Sequence, residues 1–230
     1  MKNNFLPVLL ILLISVWLSL PLLAPGLHQI HDDQQVARLY LFDKALAAGQ
    51  FPVRWVDELG FGFGYPLFNF YPPLVYILGE LFHQLGFGFI DSTKLVFAAS
   101  IFASGIAMYV FARSLWDKFP ALVASAFYIF LPYRALDIYI RGALAESFSF
   151  VWLPLILWSF HKLIATGKRV YILPASMFLA LLMITHNLIF LPFVLILPMY
   201  LLFLIVGSQD RKLSTVYCLL STVLAFGLSA

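Results

Sequence analysis

The sequence has 230 residues, of which 63% are hydrophobic and 11% charged, with a formal net charge of +3 and a mean hydropathy of +0.95. Soluble domains carry about 25% charged residues, so this composition indicates a polytopic membrane protein. The positive charge is too small and too dispersed to suggest nucleic-acid binding, and a single cysteine, Cys218, excludes both a disulfide framework and a cysteine metal site.

Long apolar runs predict an all-α fold, organised as a single transmembrane domain over residues 1–230. The first run, 5–24, is longer than the roughly 7–15-residue core of a cleavable signal peptide, so it predicts an uncleaved first span. Later runs approach the roughly 20 apolar residues that a spanning helix needs. They predict spans near 94–112, 119–133, 147–163, 170–186, 188–206 and 213–230. Because the last run ends without a polar tail, we expect the N-terminal part of a longer chain.

The segment 66–89 fits two alternatives, a re-entrant segment or an extra span. It is apolar, but Pro72-Pro73 interrupts it and it contains Glu80 and His83. The two alternatives place the preceding loop on opposite faces of the membrane. A simple count of Lys and Arg favours the extra span, whereas Lys2 directly before the first apolar run favours a cytoplasmic N-terminus. We predict the cytoplasmic N-terminus.

Basic residues between the later spans fall into three clusters, 113–118, 162–169 and 211–212. The positive-inside rule places these clusters in the cytoplasm. The loop 134–146 and the hairpin at His186 are then extracytoplasmic.

Acidic residues are concentrated in two parts of the chain. Seven lie from Asp32 to Asp91, and two more, Asp137 and Glu146, follow in a short stretch. With a cytoplasmic N-terminus, all nine share one membrane face. Ionisable groups near lipid are costly and usually functional. The pattern therefore predicts a polar site at that face, and it favours a membrane enzyme acting on a lipid-linked substrate.

The first loop, 25–65, contains a predicted amphipathic helix over Gln34–Ala48. Asp32 and Asp33 are good N-cap residues before it, and Gly49 is a good C′ residue after it. The apolar side chains expected on one helical face, which would lie on the membrane, are Val36, Leu39, Tyr40, Leu46 and Ala47. Beyond the helix, glycines alternate with aromatic residues over 60–65, which predicts backbone packed closely under rings.

Five motifs resemble those of the bacterial membrane proteins described as related to 6-pyruvoyl-tetrahydropterin synthase. They are His31-Asp32 and the stretches 49–55, 62–74, 139–146 and 185–187. The chain lacks the His-rich zinc site of pterin chemistry. That family is in turn similar to the GT-C superfamily of membrane glycosyltransferases. The resemblance implies a GT-C-like fold, an acidic residue acting in the first extracytoplasmic loop, and a polyprenyl-phosphate-linked sugar as donor.

Asp32 is the leading catalytic candidate, with Asp33 beside it. Sugar transfer needs a base for the acceptor proton, and a carboxylate near the anomeric carbon supplies one. The alternative is that either residue only caps the helix. His31 could tune these carboxylates or bind phosphate.

Four further residues are candidates for substrate binding. Arg141 and Arg54 offer forked donors for a lipid phosphate. Glu146 offers a second polar ligand, and His186 is expected at the same face. The structural alternatives are an Arg141–Glu146 pair that pins its loop, an interfacial anchor at Arg54 and a hairpin residue at His186.

Metal use is left open, since Asp32, Asp33, Glu146 and His186 could together bind Mg²⁺ or Mn²⁺. We expect a GT-C-like glycosyltransferase of a bacterial cytoplasmic membrane, with its active loops extracytoplasmic and a polyprenyl-phosphate-linked sugar and membrane lipid as partners. A lipid or polysaccharide flippase or transporter, or a non-catalytic membrane scaffold, is the alternative.

Overall fold

A computed structural model describes residues 5–27 and 29–229. The described residues form helices joined by loops, and no strand is found among them. The helices are α1 (Phe5–Ser19), α2 (Gln35–Ala47), α3 (Leu67–Phe70), α4 (Leu74–Gln84), α5 (Phe89–Leu115), α6 (Lys118–Phe130), α7 (Pro132–Leu136), α8 (Leu144–Thr166), α9 (Ile172–Met183), α10 (Asn187–Val206) and α11 (Arg211–Ser229). The predicted all-α architecture is confirmed.

In the described part of the chain, six helical segments are long and apolar enough to cross a membrane. They are Phe5–Leu23, Phe89–Leu115, Lys118–Arg141, Leu144–Thr166, Asn187–Val206 and Arg211–Ser229. Each overlaps a predicted span. The predicted span at 170–186 is shorter, because its apolar helix covers only Arg169–Met183. The chain is therefore a membrane protein by the length and composition of its helices.

The segment 66–89 is divided between two short helices. Pro72-Pro73 separates α3 from α4, since a proline cannot continue the helix before it. The 11 residues of α4 extend about 16 Å at 1.5 Å per residue. This is shorter than the roughly 30 Å hydrocarbon core of a bilayer, so α4 alone is too short to cross one.

Helix α2 lies close to its predicted bounds, but the cap at its N-terminus differs from the expectation. Its N-cap residue is Gln34, without a side-chain cap, so the predicted capping by Asp32 or Asp33 is wrong. Gly49 does follow the helix with a positive φ of 87°, as predicted.

The buried face of α2 consists of Gln35, Leu39 and Phe42, at i, i+4 and i+7. Tyr40 and Ala47, which were expected on a face lying on the membrane, are exposed and lie outside this packed face. The face is set by tertiary packing, because α2 contacts both α4 and α5. The Phe42 ring meets the Phe68 ring edge-on at 5.2 Å between centroids.

Helices α5 and α8 form the centre of the bundle. Lipid is as apolar as a protein core, so helices in a membrane associate through close packing and interhelical hydrogen bonds. Ser100 and Ser147 hydrogen-bond between α5 and α8 at 2.7 Å. Gly105 of α5 allows close approach, because a Cβ there would lie 3.0 Å from Ile11 and 3.3 Å from Ile129. This packing fixes the first turn of α8, where Glu146 lies.

Candidate functional site

Two backbone hydrogen bonds join the first loop to the loop before α8. The Ile140 carbonyl accepts from the His31 N–H at 3.0 Å, and the Arg141 carbonyl accepts from the Asp32 N–H at 2.8 Å. Gly142 permits this contact with a φ of +70°, because a Cβ there would lie 2.4 Å from Ile30 Cδ1. Asp32 and Arg141 therefore lie next to each other, whereas their roles stay predictions.

The residues before Gly142 form one turn of π-helix, Asp137–Arg141. Such turns add a residue to the helical repeat and are frequent at functional sites. Here the wide turn ends α7 and leads into α8. It places Asp137 and Arg141 beside Glu146 in the first turn of α8.

A polar network is centred on one nitrogen of Arg141. Its Nη1 lies 3.0 Å from Asp137 Oδ1 and 2.9 Å from Glu146 Oε2. The same nitrogen donates to the Tyr133 hydroxyl at 3.0 Å, and that hydroxyl donates to Glu146 Oε1. All contacts shown for this guanidinium involve Nη1, and the side chain is 37% exposed. The guanidinium is thus held in place while its other N–H groups remain available to a ligand.

Asp137 belongs to this network, although it was not among the site residues predicted from the sequence. Its side chain is 1% exposed, and its Oδ2 atom is buried with no hydrogen-bond partner among the described residues. Asp and Arg four residues apart on a helix can form an ion pair, and this spacing can be recognised in a sequence. The pair Asp137–Arg141 has that spacing inside an otherwise apolar stretch.

Helix α2 contributes a second group of polar side chains. Gln35 donates from Nε2 to the Gly142 carbonyl at 3.2 Å and accepts from the Tyr76 hydroxyl at 3.0 Å. Burial raises the pKa of Tyr76, so its hydroxyl stays protonated as this donor. Arg38 lies with its guanidinium 3.9 Å from the centre of the Tyr71 ring, a cation–π contact. Neither Gln35 nor Arg38 was selected from the sequence.

His186 caps helix α10. Its Nδ1 accepts from the Ile189 N–H at 3.1 Å, so the neutral ring carries its proton on Nε2. Burial lowers the pKa of His186, and nearby Arg141 acts in the same direction, while Glu146 opposes them. The residue is therefore neutral at pH 7 and can donate one hydrogen bond from Nε2.

Several of these groups line one cavity of about 550 Å³. Among the polar residues around it are Asp32, Arg38, Arg141, Glu146 and His186. Its volume lies within the roughly 300–1,000 Å³ of small-molecule sites. The structure thus brings together four of the seven predicted site residues and adds Arg38.

The other three predicted residues lie outside this cavity. His31, Asp33 and Arg54 are exposed and do not line it. The backbone N–H of Arg54 is bound by the Gln50 side chain, which also accepts from the Trp55 N–H at 2.7 Å. In the described ranges, no group of three or more His, Cys, Asp or Glu is arranged to hold a metal ion.

A larger cavity of about 1020 Å³ lies near the ends of α8, α10 and α11. Two of its polar residues, Asp210 and Tyr217, already make structural contacts. Asp210 accepts from the Leu213 N–H at 2.9 Å, and the Tyr217 hydroxyl accepts from Arg169 at 2.8 Å. The smaller cavity has convergent charged side chains, so it is the better candidate site despite its size.

The family model described as "6-pyruvoyl-tetrahydropterin synthase related domain; membrane protein" matches residues 68–230. The chain therefore belongs to this family. The match includes Arg141, Glu146 and His186 but not Asp32.

The chain is also 26% identical to an uncharacterized protein of Lactococcus lactis subsp. cremoris, over an alignment of 241 residues. That alignment covers 100% of this chain and 39% of the relative, so the chain spans about two fifths of the relative's length. No solved structure matches the chain.

Proposed function

We propose that this member of the family is a GT-C-like glycosyltransferase that moves a sugar from a polyprenyl-phosphate donor. The observation that carries the proposal is the 550 Å³ cavity, where a carboxylate from the first loop meets two arginines and a neutral histidine. The cavity lies in a chain with six helices long and apolar enough to cross a bilayer. A lipid-linked substrate can therefore enter from the membrane while its head group occupies a polar site.

The two arginines suit the phosphate of such a donor. Arg141 is fixed through Nη1 by Asp137 and Glu146, so binding costs little further side-chain entropy. Its remaining N–H groups can form charge-assisted hydrogen bonds to phosphate oxygens. Arg38 adds a second positive charge, and the Nε2–H of His186 adds a neutral donor. These groups stabilise the negative charge that grows on the phosphate as it leaves.

The carboxylate of Asp32 is the proposed general base. It takes the proton of the acceptor hydroxyl while the acceptor oxygen bonds to the anomeric carbon. The bond from that carbon to the phosphate oxygen breaks, and the bonding electrons leave with the phosphate. The proton resides on Asp32 at the end of the step. A positioned base contributes on the order of a hundred- to ten-thousand-fold to the rate.

We place the cavity on the extracytoplasmic face of a bacterial cytoplasmic membrane. The basic residues between later spans, such as Lys162 and Lys168, support this placement through the positive-inside rule. A donor presented on the outer leaflet then meets the site directly.

The proposal is tested by Asp32→Asn, which keeps the size of the side chain but removes the base. We expect the variant to be made at the normal level and to lose at least 99% of its transfer activity. A deletion strain complemented with Asp32→Asn should then accumulate unused polyprenyl-phosphate-linked sugar, detected by mass spectrometry of lipid extracts.

Asp33→Asn is the matched control, because Asp33 is adjacent, exposed and outside the cavity. We expect a much smaller effect from it. A lipid profile in Asp32→Asn equal to that of the wild type would contradict the role of Asp32 as the base.

A further inference from the structure

Two exposed aromatic rings stand at the same cavity as the charged residues. Tyr65 and Phe70 both line it, with their rings 6.1 Å apart and inclined by 27°. Tyr65 is 42% exposed and Phe70 is 59% exposed. Neither ring has a role in the proton transfer or in the phosphate binding proposed above.

The backbone holds this aromatic pair in place. Tyr65 exchanges two hydrogen bonds of 2.9 Å with Val56, which close the loop between them. Gly64 allows the loop to pass under Trp55, because a Cβ there would lie 2.4 Å from the indole ring. Phe70 ends helix α3 directly after. The backbone at both residues is therefore held in place, so the two rings form a defined surface.

The neighbouring ring, Tyr71, has a different partner. The Arg38 guanidinium lies 3.9 Å above its centre and occupies that face. Tyr65 and Phe70 stack on each other and have no such cation in the described structure. Their outer surfaces are thus available to a ligand in the cavity.

We propose that Tyr65 and Phe70 form the subsite for the sugar ring. A pyranose has an apolar C–H face with partial positive charge, which complements the negative face of an aromatic ring. Its hydroxyl groups donate hydrogen bonds, and the carboxylates of Asp32 and Glu146 line the same cavity as acceptors. The phosphate of the donor would remain with the arginines. This subsite rests on the proposed function, because it takes the sugar to be attached to a phosphate.

An isoprenoid chain is the competing occupant for aromatic rings. The surroundings of the pair favour the sugar, because the carboxylates of the cavity accept hydrogen bonds from hydroxyl groups, whereas a hydrocarbon chain has no hydrogen to donate to them. Leu188 also lines the cavity and is 70% exposed, so it offers an apolar contact for the lipid instead.

The test measures binding to purified protein in nanodiscs with three kinds of probe. These are farnesyl phosphate, farnesyl-phosphate-linked hexoses (glucosyl, galactosyl and mannosyl), and the corresponding octyl hexosides without phosphate. The variants are Tyr65→Ala and Phe70→Ala. The controls are Phe61→Ala and Phe63→Ala, which remove rings that are even more exposed but do not line the cavity.

We expect each cavity variant to weaken binding of at least one hexose-bearing probe by about tenfold, with farnesyl phosphate unchanged and both controls unchanged. Arg141→Gln should weaken both phosphate probes and leave the octyl hexosides unchanged. Equal weakening of farnesyl phosphate by Tyr65→Ala would show that the rings hold the lipid, and would overturn the sugar subsite. Wild-type binding of octyl hexosides but not of the phosphate probes would overturn the proposed donor and keep the subsite. Binding of no hexose-bearing probe would overturn both.

Discussion

Arg141 shows how far single residues could be predicted from this sequence. It was selected because an arginine in an outward loop beside a carboxylate suits a phosphate, and the structure does place it in the cavity. Its partner Asp137 was not selected, because the i, i+4 spacing shows that Asp137 can pair with Arg141 but not that both join Glu146 in one network. Arg38 was missed because it lies on the polar side of a predicted surface helix, where arginines are usually solvated.

His186 gives a prediction for the dependence of stability on pH. Burial lowers its pKa in the folded protein below the usual value of about 6.5. The unfolded chain therefore takes up a proton first as the pH falls. The contribution of neutral His186 to the free energy of unfolding is fully present above about pH 6.5 and is lost as the pH falls through the pKa of the folded state. Thermal unfolding in detergent between pH 8 and pH 5 measures this loss.

The matched variant for this measurement is His186→Asn. Asparagine keeps an acceptor at the N-cap of α10 but does not titrate. Acidification should therefore lower the melting temperature of the wild type more than that of the variant. All other ionisable groups are the same in the two proteins, so the comparison isolates His186. Parallel curves for the two proteins would show that His186 does not contribute.

At the scale of elements, sequence periodicity located helices well and their contacts poorly. Helix α2 was placed within one residue at each end, because Gly49 ends it and no glycine or proline interrupts it. The face that packs on α4 and α5 was not predicted, since hydrophobicity alone does not show whether a face lies against lipid or against other helices. The π-helical turn at Asp137–Arg141 had no sequence signal, because it depends on how α7 meets α8.

The turn at Gly142 gives a prediction about how elements are joined. Gly142→Ala imposes a left-handed conformation on an L-residue, which costs about 1–2 kcal/mol. It also brings a methyl group against the buried Ile30 side chain. We expect a loss of stability beyond the backbone cost alone, measured by thermal unfolding, together with reduced transfer because the first loop is displaced.

Gly167→Ala is the control, since Gly167 has a φ of +64° and nothing lies within 4 Å of its Cβ position. This variant carries the backbone cost without the contact. The double variant Ile30→Ala/Gly142→Ala should recover part of the difference. Equal destabilisation by Gly142→Ala and Gly167→Ala would mean that the Ile30 contact is unimportant.

At the scale of the whole molecule, the composition alone predicted a membrane protein with many spans. It could not predict the cavity, because Gln35 and Gly142 meet across 107 residues of sequence. The fold also does not determine how the chain is oriented in the membrane, because helix length does not distinguish the two faces of the bilayer. The orientation remains a prediction from Lys2 and the basic loops.

Orientation is tested by cysteine labelling in intact cells. Starting from Cys218→Ser, we introduce Ala48→Cys after α2 and, separately, Lys168→Cys after α8, both at exposed positions. We expect an impermeant maleimide to label position 48 directly and position 168 only after permeabilisation. Labelling in the reverse pattern would place the cavity in the cytoplasm and contradict the proposed use of an outer-leaflet donor.

The hydrogen bonds between residues 31–32 and 140–141 have a consequence for biosynthesis. A ribosome adds about 5–20 residues per second, so roughly 100 residues separate the two segments by about 5–20 s. During that interval the first loop has no partner for Asp32, and the residues after α7 have not yet been inserted. The site can therefore assemble only after α5, α6 and α7 have been placed correctly. A chain whose synthesis stopped before residue 140 would contain the proposed base but not the rest of the site, and it would therefore be inactive.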